Sequence, residues 1–336
     1  MPQVVTVTVN PALDVMMEAP EMVSGRKLRS RTAAIEPGGG GINVARALIT
    51  LEQDVEAVLP VGGQTGIETE LLLRREAIPL RIVPISGVTR RSLTIQTTKT
   101  HEHYRLVGNG PDLNDSEVAA ILDTVRGDGG PVHFVVLSGS LSPGMGGQFI
   151  ADLAAVARDL GAELVVDSSG EALVASVEAG AYLIKPNRAE LTALAGHEGE
   201  IDFSAISAAC RTVQHRGARN IVASLGAAGA YALGEDGTEG RLYAPFVDTV
   251  SSVGAGDSML AGIISGLLRG EPFLQAVRLG VACGAGTCLM PGTQLFRAHD
   301  LPRLVAETPV IQPNTPHGFD FLADPADAAP GVDVIS

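Results

Sequence analysis

The stretch SSVGAGDSML (251–260) sets an acid, Asp257, directly after Gly254, Ala255 and Gly256 at the mouth of an apolar, helically spaced run. The first amides of a helix have no intrahelical acceptor, so a helix start here is a ready site for an anion. The acid can serve as a proton acceptor beside that anion, or merely cap the helix. A second stretch, EPGGGGINVARAL (36–48), runs four glycines into Ile42, Asn43, Val44, Ala45 and Arg46, which begin another helical pattern. Consecutive glycines are conformationally costly, so four of them mark a close approach by a ligand or by another backbone. The run is not GxxxxGK[ST] and no Walker lysine follows, which excludes a P-loop.

These residues have to be positioned by regular elements. In the middle of the chain, VHFVVLSGS (132–140), AELVVDSSG (162–170), AYLIKPN (181–187) and NIVASLG (220–226) each read as an apolar strand ending in a polar or glycine-bearing turn. Helical patterns such as Gln148 to Leu160 separate them, and Met259 to Leu268 follows the acid as a further helix. Continuous apolar strands alternating with helices predict a parallel sheet covered on both faces. Ligands of such sheets sit beyond the carboxyl ends of the strands. VVTVTVN (4–10), KLRSRTAAIE (27–36) and SLTIQTTKTHEHYRLV (92–107) alternate in polarity instead, which predicts a hairpin or small antiparallel sheet projecting as a lid. No linker divides the chain, so residues 1–306 are expected to form one domain with lid segments near 10–36 and 88–108. Residues 307–336, rich in Pro and Asp, are expected to be a loosely ordered tail.

Composition narrows the partners. With 24 Lys plus Arg against 38 Asp plus Glu, the net charge of −14 opposes nucleic-acid binding. Lys27, Lys99 and Lys185 are the only lysines, so an anionic substrate must be gripped by local devices. The sequence holds no apolar run long enough for a membrane span and its N-terminus lacks a charged leader, so a cytoplasmic protein is expected. Cys210, Cys283 and Cys288 show neither CxxC nor zinc spacing and are expected to be packing residues.

Taken with NPALD (10–14), SGSLSPG (138–144), VDSSGEAL (166–173), KPNRAEL (185–191) and SLGAAG (224–229), the two glycine motifs resemble those of the ribokinase-like (PfkB-type) sugar kinases, in family order over nearly all of residues 4 to 300. The resemblance implies a three-layer α/β/α Rossmann-type sheet with a small β-strand lid. Within the family, NPALD, the glycine run and DSSGEAL resemble the phosphosugar branch, and Gly40 stands where the minor bacterial 6-phosphofructokinases also have glycine. The implied reaction is ATP-dependent phosphorylation of fructose 6-phosphate at its C1 hydroxyl. 1-Phosphofructokinase and tagatose-6-phosphate kinase share the motifs, and a catalytically silent sugar-phosphate sensor is the alternative of another class.

The same resemblance implies roles. Asp257 would be the base, with the amides of Gly254, Ala255 and Gly256 holding the transferring phosphoryl group. Asp14, Gly39, Gly40, Asn43 and position 139 of the SGS turn (Gly139) would line the sugar. Arg90, Arg105 and Lys27, the last from a neighbouring subunit of a lid-to-lid homodimer, would grip the 6-phosphate. Lys185, Asn187, Ser224, Gly226, Gly229, Thr249, Gly254, Val281 and Ala285 would meet ATP. Glu190 would act on Mg²⁺ through a bound water. In members that also bind K⁺, the matching positions are Ser251, Val253, Thr287, Met290, Gly292 and Gln294.

Overall fold

The computed structural model describes residues 3–128 and 130–313. Its strands are β1 (Val4–Val7), β2 (Ala12–Ala19), β3 (Arg31–Gly38), β4 (Val55–Val61), β5 (Leu80–Pro84), β6 (Arg90–Thr97), β7 (His103–Val107), β8 (Phe134–Ser138), β9 (Glu163–Asp167), β10 (Leu183–Ile184), β11 (Asn220–Ser224), β12 (Ala230–Leu233), β13 (Glu239–Leu242) and β14 (Val310–Ile311). Its helices are α1 (Gly40–Thr50), α2 (Gly63–Arg75), α3 (Asp115–Arg126), α4 (Gly147–Asp159), α5 (Gly170–Glu178), α6 (Arg188–Leu194), α7 (Ile206–His215), α8 (Ala255–Leu268), α9 (Phe273–Cys288) and α10 (Leu301–Ala306).

Ten strands form one sheet in the order β14-β13-β12-β11-β10-β9-β8-β1-β4-β5. From β5 to β11 every pairing is parallel, and β12, β13 and β14 close one edge antiparallel. Strands buried on both faces need apolar residues at every position, which is why the middle runs read as continuous rather than alternating. Side chains of one strand parity, Val5, Val7, Val135 and Leu137 among them, pack with α3 to α7, while Val4, Leu59 and Val136 pack with α1, α2, α8, α9 and α10. Two cores on one sheet make the expected three layers. The order of the strands reverses at β1, whose neighbours are β4 and β8, so a crevice opens beyond the carboxyl ends of β1 and β8.

The second sheet has four strands in the order β3-β2-β6-β7. It is not purely antiparallel as expected. Two hairpins, β2–β3 and β6–β7, are joined by a parallel pairing of β2 with β6. The expectation for VVTVTVN also fails, because β1 is a central strand of the main sheet, with Thr6 wholly buried beside the valines. Threonine has the branched shape of valine, so Val–Thr alternation in this strand does not mark a wet face. The tail begins later than expected: Thr308 is buried and β14 pairs with β13, while residues 314–336 lie outside the described residues. Among the described residues no helix is long and apolar enough to cross a membrane. Cys210 and Cys283 are buried and Cys288 half-buried, all as free thiols.

Helix α8, which carries Asp257, is set against α9 through missing side chains. A Cβ on Gly262 would lie 2.7 Å from the Gly280 Cα and 2.9 Å from the Cys283 Sγ, and one on Gly266 2.6 Å from the Ala276 Cα. Gly262→Val is therefore expected to destabilise the protein by about 1–3 kcal/mol, the cost of overpacking a filled interface, as read from a denaturant midpoint at unchanged slope.

Candidate active site

The start of α8 bears on the capping alternative for Asp257. Gly254 is the N-cap, held at φ 79, and no side chain caps the helix. Asp257 stands in the first helical turn with its carboxylate turned away from that role. Its Oδ2 accepts from Asn43 Nδ2 at 2.9 Å, and its Oδ1 accepts from Ser138 Oγ at 3.1 Å. The three residues come from the starts of α1 and α8 and the end of β8, meeting beyond the strand ends at the switch point.

Burial is the main cause that raises the Asp257 pKa to about 6, and the nearby Asp167 carboxylate adds to it. The donors Asn43 and Ser138 and the Lys185 ammonium oppose the shift. Lys185 is 5% exposed and pairs with Asp167 at 3.1 Å. Its Nζ lies 3.3 Å from where a Cβ on Gly256 would stand, so glycine there lets the cation reach the helix start. The amides of Gly256 and Asp257 sit in the first turn, where intrahelical carbonyls do not reach. The Ala255 amide instead turns back to the Ser252 carbonyl at 3.3 Å.

The glycine run is explained by backbone and side-chain approach within the protein. A Cβ on Gly38 would strike the Asp14 carboxylate, one on Gly40 would strike Ser138, and one on Gly39 or Gly41 would stand 2.5 Å from Thr8. Gly39 also adopts φ 140, open to glycine alone at low cost. The glycines thus allow α1 to start against β1, β2 and β8 together, bringing Asn43 to Asp257.

Above the crevice, one face of the four-stranded sheet carries Asp14, Glu36, Arg90, Ser92 and Arg105, which share strand parity through the pairings Asp14–Glu36, Asp14–Ser92 and Thr94–Arg105. Burial raises the Asp14 pKa, against the Ser92 hydroxyl and the charges of Arg105, Arg90 and Arg46. Arg105 is exposed on this face. Arg90 is more constrained than expected: Nε and Nη2 donate to the Asn10 carbonyl at 3.2 and 3.0 Å, and Nη1 to the Gly108 carbonyl at 3.0 Å. Lys27 lies on the exposed connection between β2 and β3. Strand β2 alone carries the chain about 16 Å from Asp14 to Ala19.

On the opposite side, Asn187 and Glu190 form a reciprocal capping box on α6: Asn187 Oδ1 accepts from the Glu190 amide, and Glu190 Oε2 from the Asn187 amide, each at 2.8 Å. Asn187 bridges to Ser224, so the KPN turn and the SLGAAG turn lie side by side. Gly226 and Gly229 take φ 59 and 87 in that turn. Val281 and Ala285 are buried on α9, Gly284 abuts the Ala255 carbonyl, and Thr249 is exposed on the loop before α8.

Among the described residues no three carboxylate, histidine or cysteine side chains cluster as a metal site. Glu190 keeps Oε1 outside its cap, which fits a Mg²⁺ carried on ATP phosphates and reached through water better than direct ligation. Of the positions expected for K⁺, Ser251 and Gly292 meet: Ser251 Oγ donates to the Gly292 carbonyl at 2.8 Å, and next to them the Val250 amide donates to the Cys288 carbonyl at 2.8 Å. The Thr287 carbonyl accepts from the Met290 amide at 2.9 Å, while its hydroxyl donates to Ser258 Oγ at 2.7 Å. Val253 and Gln294 flank this junction with exposed side chains.

One expected residue is corrected. The SGS turn meets Asp257 through Ser138; Gly139, at φ 103, donates its amide to the Asp167 carbonyl at 2.9 Å. Sequence reasoning also passed over Asp167, Ser92 and Arg46. Asp167 and Arg46 stand inside quoted motifs, where a charged residue next to a strand end or helix start was the available signal. Ser92 had none.

A buried carboxylate beside unpaired helix-start amides, with two arginines on one face of the second sheet, suits transfer of a phosphoryl group to a hydroxyl. This is the arrangement of an α/β small-molecule kinase. The chain belongs to the pfkB family of carbohydrate kinases, whose model matches residues 10–299. An ATP-dependent 6-phosphofructokinase isozyme 2 from Mycobacterium tuberculosis is 36% identical over 302 residues, covering 90% of this chain and 88% of its own. The isozyme 2 of Escherichia coli is 35% identical over 91% of this chain and 99% of its own. Its crystal structure in complex with potassium superposes with a TM-score of 0.85 over 91% of this chain and 99% of that one. A 1-phosphofructokinase from Bacillus subtilis is 31% identical over 89% of this chain and 97% of its own.

A carboxylate with a raised pKa is a usable base only above that value, and its charge is a liability to the fold there. The acid limb of kcat/KM is therefore expected near pH 6, well above an ordinary aspartate limb. At neutral pH the unfolded chain ionises Asp257 more readily than the folded one, so this carboxylate withdraws stability as pH rises from 3.8 through about 6. Asp257→Asn should consequently melt at a higher temperature than the parent at pH 7.5, with the gain vanishing below pH 4.

Proposed function

We propose that this chain transfers the γ-phosphoryl group of ATP to the C1 hydroxyl of fructose 6-phosphate, giving fructose 1,6-bisphosphate and ADP. The observation that carries the reading is the Asp257 carboxylate held by Asn43 and Ser138 beside helix-start amides, with the glycine run that delivers Asn43 abutting Asp14, which shares a sheet face with Arg90 and Arg105. In this reading the C1 oxygen attacks the γ-phosphorus as its proton passes to Asp257, and the bond to the β–γ bridging oxygen breaks to release ADP. The Gly256 and Asp257 amides and the Lys185 ammonium balance the charge on the moving group. Asp14 accepts sugar hydroxyls, and Arg105 forks onto the 6-phosphate beside the free N–H groups of Arg90.

The solved E. coli relative has been crystallised with fructose 6-phosphate and with substrates and products. Those complexes support the sugar phosphate and the nucleotide as the ligands here. ATP in this reading lies against Asn187, Ser224, Gly226, Gly229, Thr249, Val281 and Ala285, and carries Mg²⁺ watched by Glu190. When bound, the ion neutralises phosphate charge. K⁺ is assigned to the junction of residues 251–253 and 287–294, beside the amides of α8.

The four-stranded sheet also suggests the assembly. Its outer face carries Val15, Met17, Ile35, Leu93, Ile95, Tyr104 and Leu106, paired across the strands, with Leu106 59% exposed and Ile35 40%. A thin sheet with one apolar face needs a partner. We assign that partner as the same sheet of a second copy, which also brings Lys27 to the neighbour's 6-phosphate. Light scattering at micromolar concentration should give the mass of a dimer or a multiple of it; a monomer rules out the assignment.

The reaction itself is tested by coupled ADP release on fructose 6-phosphate, fructose 1-phosphate and tagatose 6-phosphate. Fructose 6-phosphate should give the highest kcat/KM, and preference for fructose 1-phosphate would transfer the chain to the activity of its Bacillus relative. Asp257→Asn should lower kcat by about 10²–10⁴-fold, the usual loss of a general base, whereas a silent sensor would show no turnover to lose. Arg105→Ala should raise the KM for fructose 6-phosphate by about 10–150-fold, the worth of a charge-assisted hydrogen bond, and leave the KM for ATP in place.

A further inference from the structure

We propose that Arg46 is a positioning residue for the transfer, acting through Asn43 on the base. Arg46 stands on α1 three residues beyond Asn43 and makes no hydrogen bond to Asp257 among the described residues. Its Nη1 donates to Asn43 Oδ1 at 3.2 Å and to the Pro37 carbonyl at 3.0 Å. Nε and Nη2 grip the two carboxylate oxygens of Glu76, just past the end of α2, each at 2.6 Å. Such a two-pronged pair holds the guanidinium plane in one orientation.

The consequence lies in the chemistry of an amide. The two ends of the Asn43 side chain have nearly the same shape, but one only accepts hydrogen bonds and the other only donates. A guanidinium can only donate. Arg46 therefore commits the oxygen end of Asn43 to itself and leaves the NH₂ end facing Asp257 Oδ2, at 2.9 Å. Reversed, the amide would present its oxygen to Asp257 and favour the protonated acid, which cannot take a proton from the sugar. The same Nη1 holds the carbonyl just before the glycine run, so the start of α1 and the orientation of its asparagine are set by one group.

The charged surroundings are shared. Glu76, Glu36 and Asp14 face Arg46, Arg90 and Arg105 face Asp14, and Asp167 and Lys185 face Asp257. None of these except Arg46 bonds to the Asn43 oxygen among the hydrogen bonds of the described residues. The inference rests on Asp257 as the base, which Asp257→Asn tests separately.

The rival explanation is that Arg46 only pins α1, α2 and β3 together. A double-mutant cycle separates the two. Arg46→Met should lower kcat by about 3–10-fold, the size of one ordinary hydrogen bond, with the KM for ATP unchanged and the acid limb of the pH profile moved to higher pH. In an Asn43→Ala background the same substitution should cost no further kcat, because the group it acts through is gone. Additive losses overturn the proposal, as does a lower melting temperature with an unmoved pH profile. If Arg46→Met fails to fold, the cycle is run with Arg46→Lys, which keeps the charge and one donor but loses the fork. Its loss, about 2–5-fold at the scale of a weakened hydrogen bond, should again vanish with Asn43→Ala, and a loss that persists there overturns the proposal.

Discussion

Much of this molecule follows from the need to keep one carboxylate ionisable away from water. An isolated buried aspartate would protonate, since the charged form is the one that burial penalises. Asp257 is supplied with two donors, Asn43 and Ser138, and a cation, Lys185, that pull against the penalty without abolishing it. The compromise is a pKa of about 6, which leaves the carboxylate mostly ionised near neutrality.

Supplying those donors sets the packing. The start of α1, the start of α8 and the ends of β8 and β10 must converge on a space of a few ångströms. Side chains are therefore deleted where the elements touch: Gly38 to Gly41 against β1, β2 and β8, Gly256 against Lys185, and Gly262 and Gly266 against α9. Glycine in a helix interior weakens it by about 1 kcal/mol, and the two in α8 carry that cost in exchange for close approach. The four-stranded sheet obeys a different rule. One face carries Asp14, Arg90 and Arg105, and the other is apolar and partly exposed.

The sequence made most of this legible, for unequal physical reasons. Continuous apolar runs with polar ends disclosed the parallel sheet because burial on both faces is written at every position of strands such as β8 and β9. The glycines flanking Asp257 and Asn43 drew attention to both, but Asn43 was expected to line the sugar, and its bond to Asp257 had no signal in the sequence. What escaped was relational. Thr6 and Thr8 looked like the wet face of a projecting strand, since nothing local says that a threonine is wedged inside a sheet. The parallel pairing of β2 with β6 joins residues some 78 positions apart, as Ala12 with Arg90, and leaves no local trace. Asp167 lay within a recognised motif, yet its pairing with Lys185 appears only when neighbouring strands are laid together. Arg90 was read as a grip on the 6-phosphate, and its three bonds to the Asn10 and Gly108 carbonyls depend on where the four-stranded sheet leaves the core.

The distances along the chain between the groups that hold Asp257 have a bearing on biosynthesis. Asn43 and Asp257 are separated by 214 positions, Ser138 and Asp257 by 119, and the acid is the last of them to leave the ribosome. Contacts of such long range form late, after the loop-closure entropy has been met by the surrounding sheet. A nascent chain of this protein can therefore fold its early β-α units and its four-stranded sheet before Asp257 meets Asn43 and Ser138. The three-residue cluster is complete only once α8 has docked, so its formation marks completion of the fold rather than the growth of its parts.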